Sequence, residues 1–173
     1  EDTFEVRHYK RKTALVCEQE ALVFPDDVTE GDALITFTKR AVLDIAGRLE
    51  REGIRASVIY GSLPPEIRRR QIRLFLSHET KVVVSTDAIG MGLNLPVRRI
   101  VFIQTEKYDG ISTRPLNIPE IRQIAGRAGR FGMYDTGYVN AMGEDARNYI
   151  AKRFDQPEPV IKKVSLGFPH VLL

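Results

Sequence analysis

Cysteine is almost absent from this sequence, which has a single one, Cys17, in 173 residues. One cysteine excludes an internal disulfide, and it is typical of proteins kept in a reducing, intracellular compartment. The three histidines, at positions 8, 78 and 170, are too far apart along the chain to have the spacing of metal ligands. No apolar run approaches the roughly 20 residues that a membrane-spanning helix needs, and no secretory signal sequence is recognisable. We therefore expect neither a resident metal nor a membrane partner.

Charge of one sign is not in large excess either. The chain has 26 basic and 23 acidic residues, a net charge of +3 and an isoelectric point near 9.1. This mildly basic balance permits a nucleic-acid partner without requiring one. Hydrophobic residues make up 43% of the chain, which is enough to bury the core of one domain. Because the sequence begins with Glu1 rather than methionine, we expect it to be part of a longer protein.

What the sequence does contain is an alternation of strand-like and helix-like segments. The segment KVVVSTD is rich in β-branched residues, as buried strands are. Ser62 and two prolines precede the second helical segment, and we expect Ser62 to cap that helix. Strands are predicted over 32–37, 55–60, 81–87, 98–104 and 136–142, and helices over 39–53, 62–76, 118–130 and 144–154. The alternation predicts an α/β fold, with a mostly parallel sheet covered by helices on both faces.

Three parts of the chain depart from this pattern. Residues 104–118 form a long polar insertion, and loops of that length tend to be functional or mobile. Residues 1–31 are expected to be a lead-in segment, with an edge strand over 5–15. Residues 155–173 contain three prolines and are expected to lead out towards a further domain. The predicted domain itself therefore covers residues 32–154.

Three segments that favour ligand contact follow predicted strands directly: FTKR, YGSLPP and STDAIGMGLN. In an open parallel sheet, ligands bind beyond the carboxyl ends of the strands, so we expect these segments to lie at one edge. Gly90 and Gly92 would let the backbone approach a phosphate, but a dinucleotide fingerprint would need glycine where the chain has Leu95. A tight turn with Asp87 capping a short helix is an equally good interpretation of that segment.

The segment QIAGRAGR places Gln123, Arg127 and Arg130 at positions i, i+4 and i+7. On a helix these side chains would share one face, where two arginines suit an anionic group such as a phosphoryl oxygen cluster. Gly126 and Gly129 each cost a helix about 1 kcal/mol relative to alanine, so close approach of a ligand or another backbone is expected there. A solvated basic face with glycines at a helix contact remains the alternative.

The second predicted helix has four arginines with different surroundings. Arg69, Arg70 and Arg73 cluster opposite the apolar residues and are expected to face solvent. Arg68 projects inside the apolar arc, where a charge needs a partner that the sequence does not identify.

Two motifs of nucleotide enzymes are missing from the sequence. There is no GxxxxGK[ST] segment, and hence no P-loop, and there is no acidic DExD/H box to hold Mg²⁺. Two phosphate-directed arginines without a P-loop make up half of a nucleotide site.

Taken together, these segments resemble the second RecA-like domain of superfamily 2 helicases. ALITFTKR is similar to motif IV of that superfamily, YGSL to motif IVa, VVVSTDAIGMGLNLP to motif V and QIAGRAGR to motif VI, in matching order over residues 32–143. The segment YDGISTRPLNIPEIRQIAGRAGRFG, including the insertion, resembles the Suv3-type RNA helicases of mitochondria and bacteria.

The resemblance implies roles for individual residues. Arg127 and Arg130 would act as arginine fingers on the γ-phosphate of ATP, neutralising charge during phosphoryl transfer. The residues expected at the nucleotide are Gln123, Asp87 and Gly90. The residues expected on the nucleic-acid backbone are Thr38, Lys39, Gly61, Ser62 and Thr86. Such contacts grip phosphate and sugar without reading bases.

The resemblance also implies partners that this chain does not contain. ATP and Mg²⁺ would serve the complete enzyme, and none is expected to be bound by this chain alone, because the first RecA-like domain is missing. The nucleic acid would be single-stranded or partly duplex, with RNA favoured over DNA, and the location the bacterial cytoplasm or the mitochondrial matrix. The alternative is a stand-alone nucleic-acid-binding or regulatory module without ATP turnover.

Overall fold

A computed structural model describes residues 13–90, 94–129 and 133–156 of the chain. Most of the strand predicted over 5–15 lies outside the described residues, and so does the connection that follows residue 156. The site residue Arg130 is also outside them.

The described residues form eight strands, six of which make one parallel sheet. The strands are β1 (Ala14–Cys17), β2 (Asp32–Ile35), β3 (Ala56–Ile59), β4 (Val82–Ser85), β5 (Arg99–Phe102), β6 (Glu106–Tyr108), β7 (Thr113–Pro115) and β8 (Thr136–Ala141). The order in the main sheet is β1-β8-β5-β2-β4-β3, and every neighbouring pair is parallel. The predicted mostly parallel sheet is confirmed, with each strand shorter than expected because its ends turn into the connecting loops.

Four α-helices and one short 3-10 helix connect these strands. They are α1 (Lys39–Arg51), α2 (Pro65–Leu76), the 3-10 helix Asp87–Gly90, α3 (Ile118–Ala125) and α4 (Glu144–Phe154). In the part of the chain that the structure describes, no helix has the length and apolar character needed to cross a membrane.

The sheet is covered on both faces because successive strand residues point in opposite directions. On one face, Ile35 and Phe102 pack with Phe75 of α2 and with residues of α3 and α4. On the other face, Leu34 and Val84 pack with α1 and with Leu22 from the loop after β1. All four residues of β2, β4 and β5 are buried, which explains why three of the four residues in each strand are apolar.

The segment between β1 and β2 is fastened to the sheet by a buried guanidinium. Arg99 donates to both carboxylate oxygens of Asp32, at 3.0 and 2.7 Å, and to Glu18 at 3.0 Å. Burial opposes the charge of Arg99, but these carboxylates outweigh it and raise the pKa of the guanidinium. The described residues ahead of position 32 therefore share the core of the sheet, and the division of the chain into 1–31, 32–154 and 155–173 stays a prediction.

Two local expectations are wrong. Ser62 does not cap α2, which begins at Pro65 with Pro64 as its cap residue and no side-chain cap, because two prolines fix the backbone there. The helix predicted over 118–130 ends at Ala125, with Gly126 as its cap residue. Gln123 and Arg127 therefore do not share the face of one continuous helix.

The polar insertion 104–118 is an ordered hairpin rather than an irregular loop. Strands β6 and β7 pair in antiparallel fashion, and the backbone N–H of Leu116 donates to the carbonyl of Thr105 at 2.9 Å to close the base. At the tip, the Asp109 carboxylate accepts hydrogen bonds from the backbone of Ile111 and Ser112, which lower its pKa. Gly110 has a φ of 99°, a conformation that suits glycine.

Candidate functional site

A cavity of about 510 Å³ lies at the carboxyl ends of β2, β4 and β3, which are neighbours in the sheet. It is lined by most of the residues that the sequence marks as functional: Lys39, Gly61, Ser62, Thr86, Asp87, Gly90 and Gln123. Parallel strands end at the same edge, so the three segments that follow them meet there. The cavity thus brings together residues from the two predicted groups, one for nucleic acid and one for nucleotide.

Lys39 supplies positive charge to this cavity from the first turn of α1. Its ammonium lies 5.4 Å from the centre of the Tyr60 ring, a distance at which cations are attracted to aromatic faces. Among the described residues no carboxylate forms an ion pair with it. An ammonium held in this way remains available to an anionic ligand.

Two threonine hydroxyls stand at the starts of helices. Thr38 is the N-cap of α1 and accepts the backbone N–H of Ala41 at 3.1 Å, and Thr86 accepts that of Ala88 at 3.2 Å. Each hydroxyl keeps its own proton to donate, for example to a phosphate oxygen. Thr86, not Asp87, provides the cap of the 3-10 helix. Thr38 lines a neighbouring cavity of about 420 Å³ rather than the first one.

The turn that carries Gly61 and Ser62 is supported from below by Arg68. The Arg68 guanidinium donates to the carbonyl oxygens of Tyr60 at 3.3 Å and Gly61 at 3.2 Å. These carbonyls are the partners that its position inside the apolar arc of α2 requires. The role of Arg68 is therefore to fix this turn, which leaves Gly61 and Ser62 exposed.

Arg127 is presented by the turn after α3 and not by the helix itself. Its guanidinium donates to the carbonyl oxygen of Gly90, at the end of the 3-10 helix. A Cβ added to Gly90 would lie 3.9 Å from the side-chain nitrogen of Gln123, so Gly90, Gln123 and Arg127 are immediate neighbours. Three of the five residues expected at the nucleotide thus surround one point. Asp87 lines the same cavity, and Arg130 lies outside the described residues.

Of the two glycines in this turn, Gly129 makes the close approach to another backbone that was expected there. Gly129 has a φ of 76°, and its N–H donates to the carbonyl of Val97 at 2.8 Å, which fixes the turn against the strand region before β5. The close backbone approach occurs at Gly137 of β8, where an added Cβ would lie 2.5 Å from the carbonyl carbon and oxygen of Ala128. The turn that presents Arg127 therefore packs directly against β8, which needs glycine at position 137.

Two charged residues of this cavity were not identified from the sequence. Lys107 of β6 and Glu120 of α3 line it, and their side chains are 21% and 19% exposed. The Lys107 ammonium lies 2.8 Å from a Glu120 carboxylate oxygen and 3.2 Å from that of Asp87. The hydrogen bond that Lys107 donates to Glu120 outweighs burial and raises the pKa of Lys107, so the ammonium stays charged. This places a hairpin residue in contact with a predicted nucleotide residue.

Glu120 is held by more than Lys107. Arg114 of β7 binds both of its carboxylate oxygens, at 2.7 and 3.2 Å, and the backbone N–H of Asn117 donates to it at 3.1 Å. Burial alone would raise the pKa of Glu120, but Arg114, Lys107 and Asn117 outweigh burial and lower it to about 2. Asn117 in turn accepts from the N–H of Glu120, which completes a capping box at the start of α3.

The chemistry of this edge favours a phosphate ligand over a metal. Its donors are an ammonium, hydroxyls, a guanidinium and the backbone of two glycine turns, all of which can bind phosphate oxygens. Its two carboxylates, Asp87 and Glu120, are paired with Lys107. Among residues 13–90, 94–129 and 133–156, no three His, Cys, Asp or Glu side chains are grouped as a metal ion would require.

Comparison with known proteins identifies the family. Residues 12–132 match the family described as helicase conserved C-terminal domain. The mitochondrial ATP-dependent RNA helicase SUV3 of Oryza sativa is 40% identical over 172 residues, covering 97% of this chain and 30% of that protein. The protein of that name from Saccharomyces cerevisiae is 33% identical, covering 93% of this chain and 23% of its own length. The chain thus spans less than a third of either relative.

A solved structure shares the fold. The C-terminal domain of the DEAD-box protein Dbp5 superposes with a TM-score of 0.55 at 22% identity, covering 73% of this chain and 69% of that one. This likeness extends to the arrangement of the parallel sheet and its helices.

Proposed function

Because this chain belongs to the family of helicase conserved C-terminal domains, we propose that it is the second RecA-like domain of a Suv3-type, ATP-dependent RNA helicase. The observation that carries the proposal is the cavity in which Lys39 and Thr86 meet Asp87, Gly90 and Gln123, with Arg127 bound to Gly90. Such an edge serves two phosphate ligands at once, one from nucleic acid and one from a nucleotide. That combination is what a helicase requires.

On the nucleic-acid side, we propose that five residues hold the backbone of a single strand: Thr38, Lys39, Gly61, Ser62 and Thr86. Their donors are hydroxyls, an ammonium and backbone amides, which bind phosphate without distinguishing bases. The cited relatives from Oryza sativa and Saccharomyces cerevisiae are named as RNA helicases, and this supports RNA as the ligand.

On the nucleotide side, we propose that this chain completes a site held mainly by another domain of the same protein. Arg127 and Arg130 would neutralise charge on the phosphoryl group being transferred, and Asp87, Gly90 and Gln123 would close the cleft around it. ATP and Mg²⁺ would be held by the P-loop and acidic box of the first RecA-like domain, since this sequence has neither motif.

The names of the relatives bear on location. Both include the word mitochondrial, which favours the mitochondrial matrix over the bacterial cytoplasm. A matrix location agrees with the single cysteine, whose thiol is half-buried and has its pKa raised by that burial.

The test compares this chain with the complete protein in an ATP hydrolysis assay with and without single-stranded RNA. We expect RNA-stimulated turnover from the complete protein, and no turnover from this chain alone, which would bind single strands weakly, without base preference, and less as salt increases. Turnover by the isolated chain would contradict the proposal. A complete protein that binds RNA but never hydrolyses ATP would favour the binding-module alternative.

A further inference from the structure

Lys107 is the side chain of the hairpin β6–β7 that lines the candidate cavity directly. Lys107 extends from β6 into the cavity that holds Asp87 and Gln123, and it also lines the neighbouring cavity that holds Thr38. It therefore stands in the wall between the cavity that holds both groups of predicted residues and the cavity that holds Thr38. No other residue of the hairpin lines both cavities in the described part of the chain.

The hairpin is attached by several contacts besides those of Lys107. The base is closed by the Leu116–Thr105 backbone hydrogen bond, and Leu116 is buried. Arg114 attaches the second strand to Glu120 with two hydrogen bonds, and the Tyr149 hydroxyl of α4 donates to the Leu116 carbonyl at 2.6 Å. The hydrogen bond that Lys107 donates to Asp87 connects the hairpin to the loop after β4.

Asp87 depends on that contact for its orientation. Its side chain is 50% exposed, and among the described residues Lys107 is the partner of its carboxylate. A half-exposed carboxylate samples several rotamers unless a partner selects one. Because Glu120 and Arg114 restrict Lys107, the ammonium can impose one direction on Asp87.

We propose that Lys107 is a positioning residue that couples nucleic acid to ATP hydrolysis by holding Asp87 through the hairpin. A strand bound beside Thr38 would contact the hairpin and fix Lys107, and Lys107 would fix the carboxylate that faces the nucleotide. Lys107 itself contacts neither ATP nor the strand, since Asp87 and Glu120 already neutralise its charge. This inference rests on the proposed function.

The experiment uses the complete protein with Lys107→Met, which removes the ammonium and keeps a similar apolar length, and with Lys107→Arg. The matched control is Lys81→Met, because Lys81 pairs with Glu30 at 3.6 Å just ahead of β4, at the opposite edge of the sheet. The measurements are kcat for ATP with and without saturating single-stranded RNA, RNA affinity without nucleotide, and the urea midpoint of unfolding.

We expect Lys107→Met to lower the RNA-stimulated kcat about tenfold, within the range usual for coupling between two sites. RNA affinity should stay close to that of the unmodified protein, and unstimulated kcat should fall less than the stimulated rate. The urea midpoint should fall slightly, because Glu120 loses the Lys107 ammonium. Lys107→Arg should recover most of the stimulation, and Lys81→Met should resemble the unmodified protein.

Three results would overturn the inference. The first is RNA stimulation that is unchanged in Lys107→Met. The second is an equal loss of RNA affinity and kcat in Lys107→Met, which would make Lys107 a direct RNA contact. The third is a Lys107→Arg variant with no more RNA stimulation than Lys107→Met. If the unmodified protein shows no RNA-stimulated hydrolysis, the proposed function fails, and the coupling role fails with it.

Discussion

The ammonium of Lys39 faces the ring of Tyr60 and has no carboxylate partner among the described residues. It is therefore available to an anionic ligand. Its neighbours Thr38 and Thr86 use their hydroxyl oxygens as acceptors within the fold and keep their protons to donate. At the scale of single residues, the cavity edge is therefore arranged to donate hydrogen bonds. The same residue types elsewhere on the chain, such as Lys81 and Lys107, have their charges neutralised by glutamate.

The first prediction concerns the charge of Lys39. In Lys39→Met, single-stranded RNA should bind more weakly, and the slope of log affinity against log salt should fall in magnitude by about 0.7, the value for one phosphate contact on a single strand. The measurement is an RNA titration at several salt concentrations. Arg51→Met removes an equal charge at the far end of α1 and should leave the slope unchanged, and an equal effect of both would mean that only net charge matters.

At the scale of elements, the turn after α3 depends on the strand beneath it. Gly137→Ala would push a methyl group to 2.5 Å from the Ala128 carbonyl, so we expect a loss of about 1–3 kcal/mol in the free energy of unfolding, and more if the backbone cannot shift. Urea denaturation of the variant measures this loss.

Gly47→Ala provides the matched control for that prediction. Gly47 lies inside α1 with open space around its Cα, so alanine there should stabilise the protein by roughly 0.5–1 kcal/mol. If both alanine variants had the same effect, the close approach of the turn to β8 would not be the reason for glycine at 137.

The junction between the hairpin and α3 should respond to acid. The folded pKa of Glu120, about 2, is below its ordinary value of 4.5, so its ion pairs stabilise the protein fully above pH 4.5. That contribution should be lost progressively as pH falls from 4.5 towards 2. The difference in unfolding free energy between the unmodified chain and Glu120→Gln should therefore be constant near neutral pH and shrink in acid. A difference that grows with acidity would contradict the assignment.

Buried strands could be predicted from the sequence, whereas the exposed hairpin could not. Buried strands such as Val82–Ser85 are runs of β-branched residues, and their pattern identified them. The hairpin was missed because its side chains are mostly polar and exposed, so hydrophobic alternation is absent. The Asp109-Gly110 pair, a common hairpin turn, was the one local signal for it.

Most residues of the candidate site could be identified from the sequence, but their geometry could not. The end of α3 was placed too late because Arg127 and Ala128 are tolerated in helices, and tertiary contacts of Ala128 and Gly129 with Val97 end this one. Lys107 could not be identified because its contact with Asp87 joins positions 20 apart in sequence. Such contacts depend on the whole sheet, which no local pattern encodes.

At the scale of the whole molecule, the order of strands determines which side chains meet. Strand β2 lies between β4 and β5, so the segments after β2 and β4 are adjacent, and the hairpin after β5 closes the cavity from the other side. Three functional segments, the hairpin and the turn after α3 thus converge although they span residues 37–127 of the chain. Under the proposed function, convergence at one sheet edge would allow one small domain to contribute to two ligand sites.

The most direct test of this account is single-turnover ATP hydrolysis by the complete protein bound to RNA, with Arg127 or Arg130 replaced by alanine or lysine. If these guanidinium groups stabilise the phosphoryl group in transit, each alanine variant should hydrolyse ATP roughly 10³–10⁵-fold more slowly, with RNA affinity nearly unchanged. Lysine should not restore the rate, because it lacks the planar fork that serves two oxygens. Near-normal hydrolysis in all four variants would contradict the account, and would mean that these arginines form only a solvated basic surface.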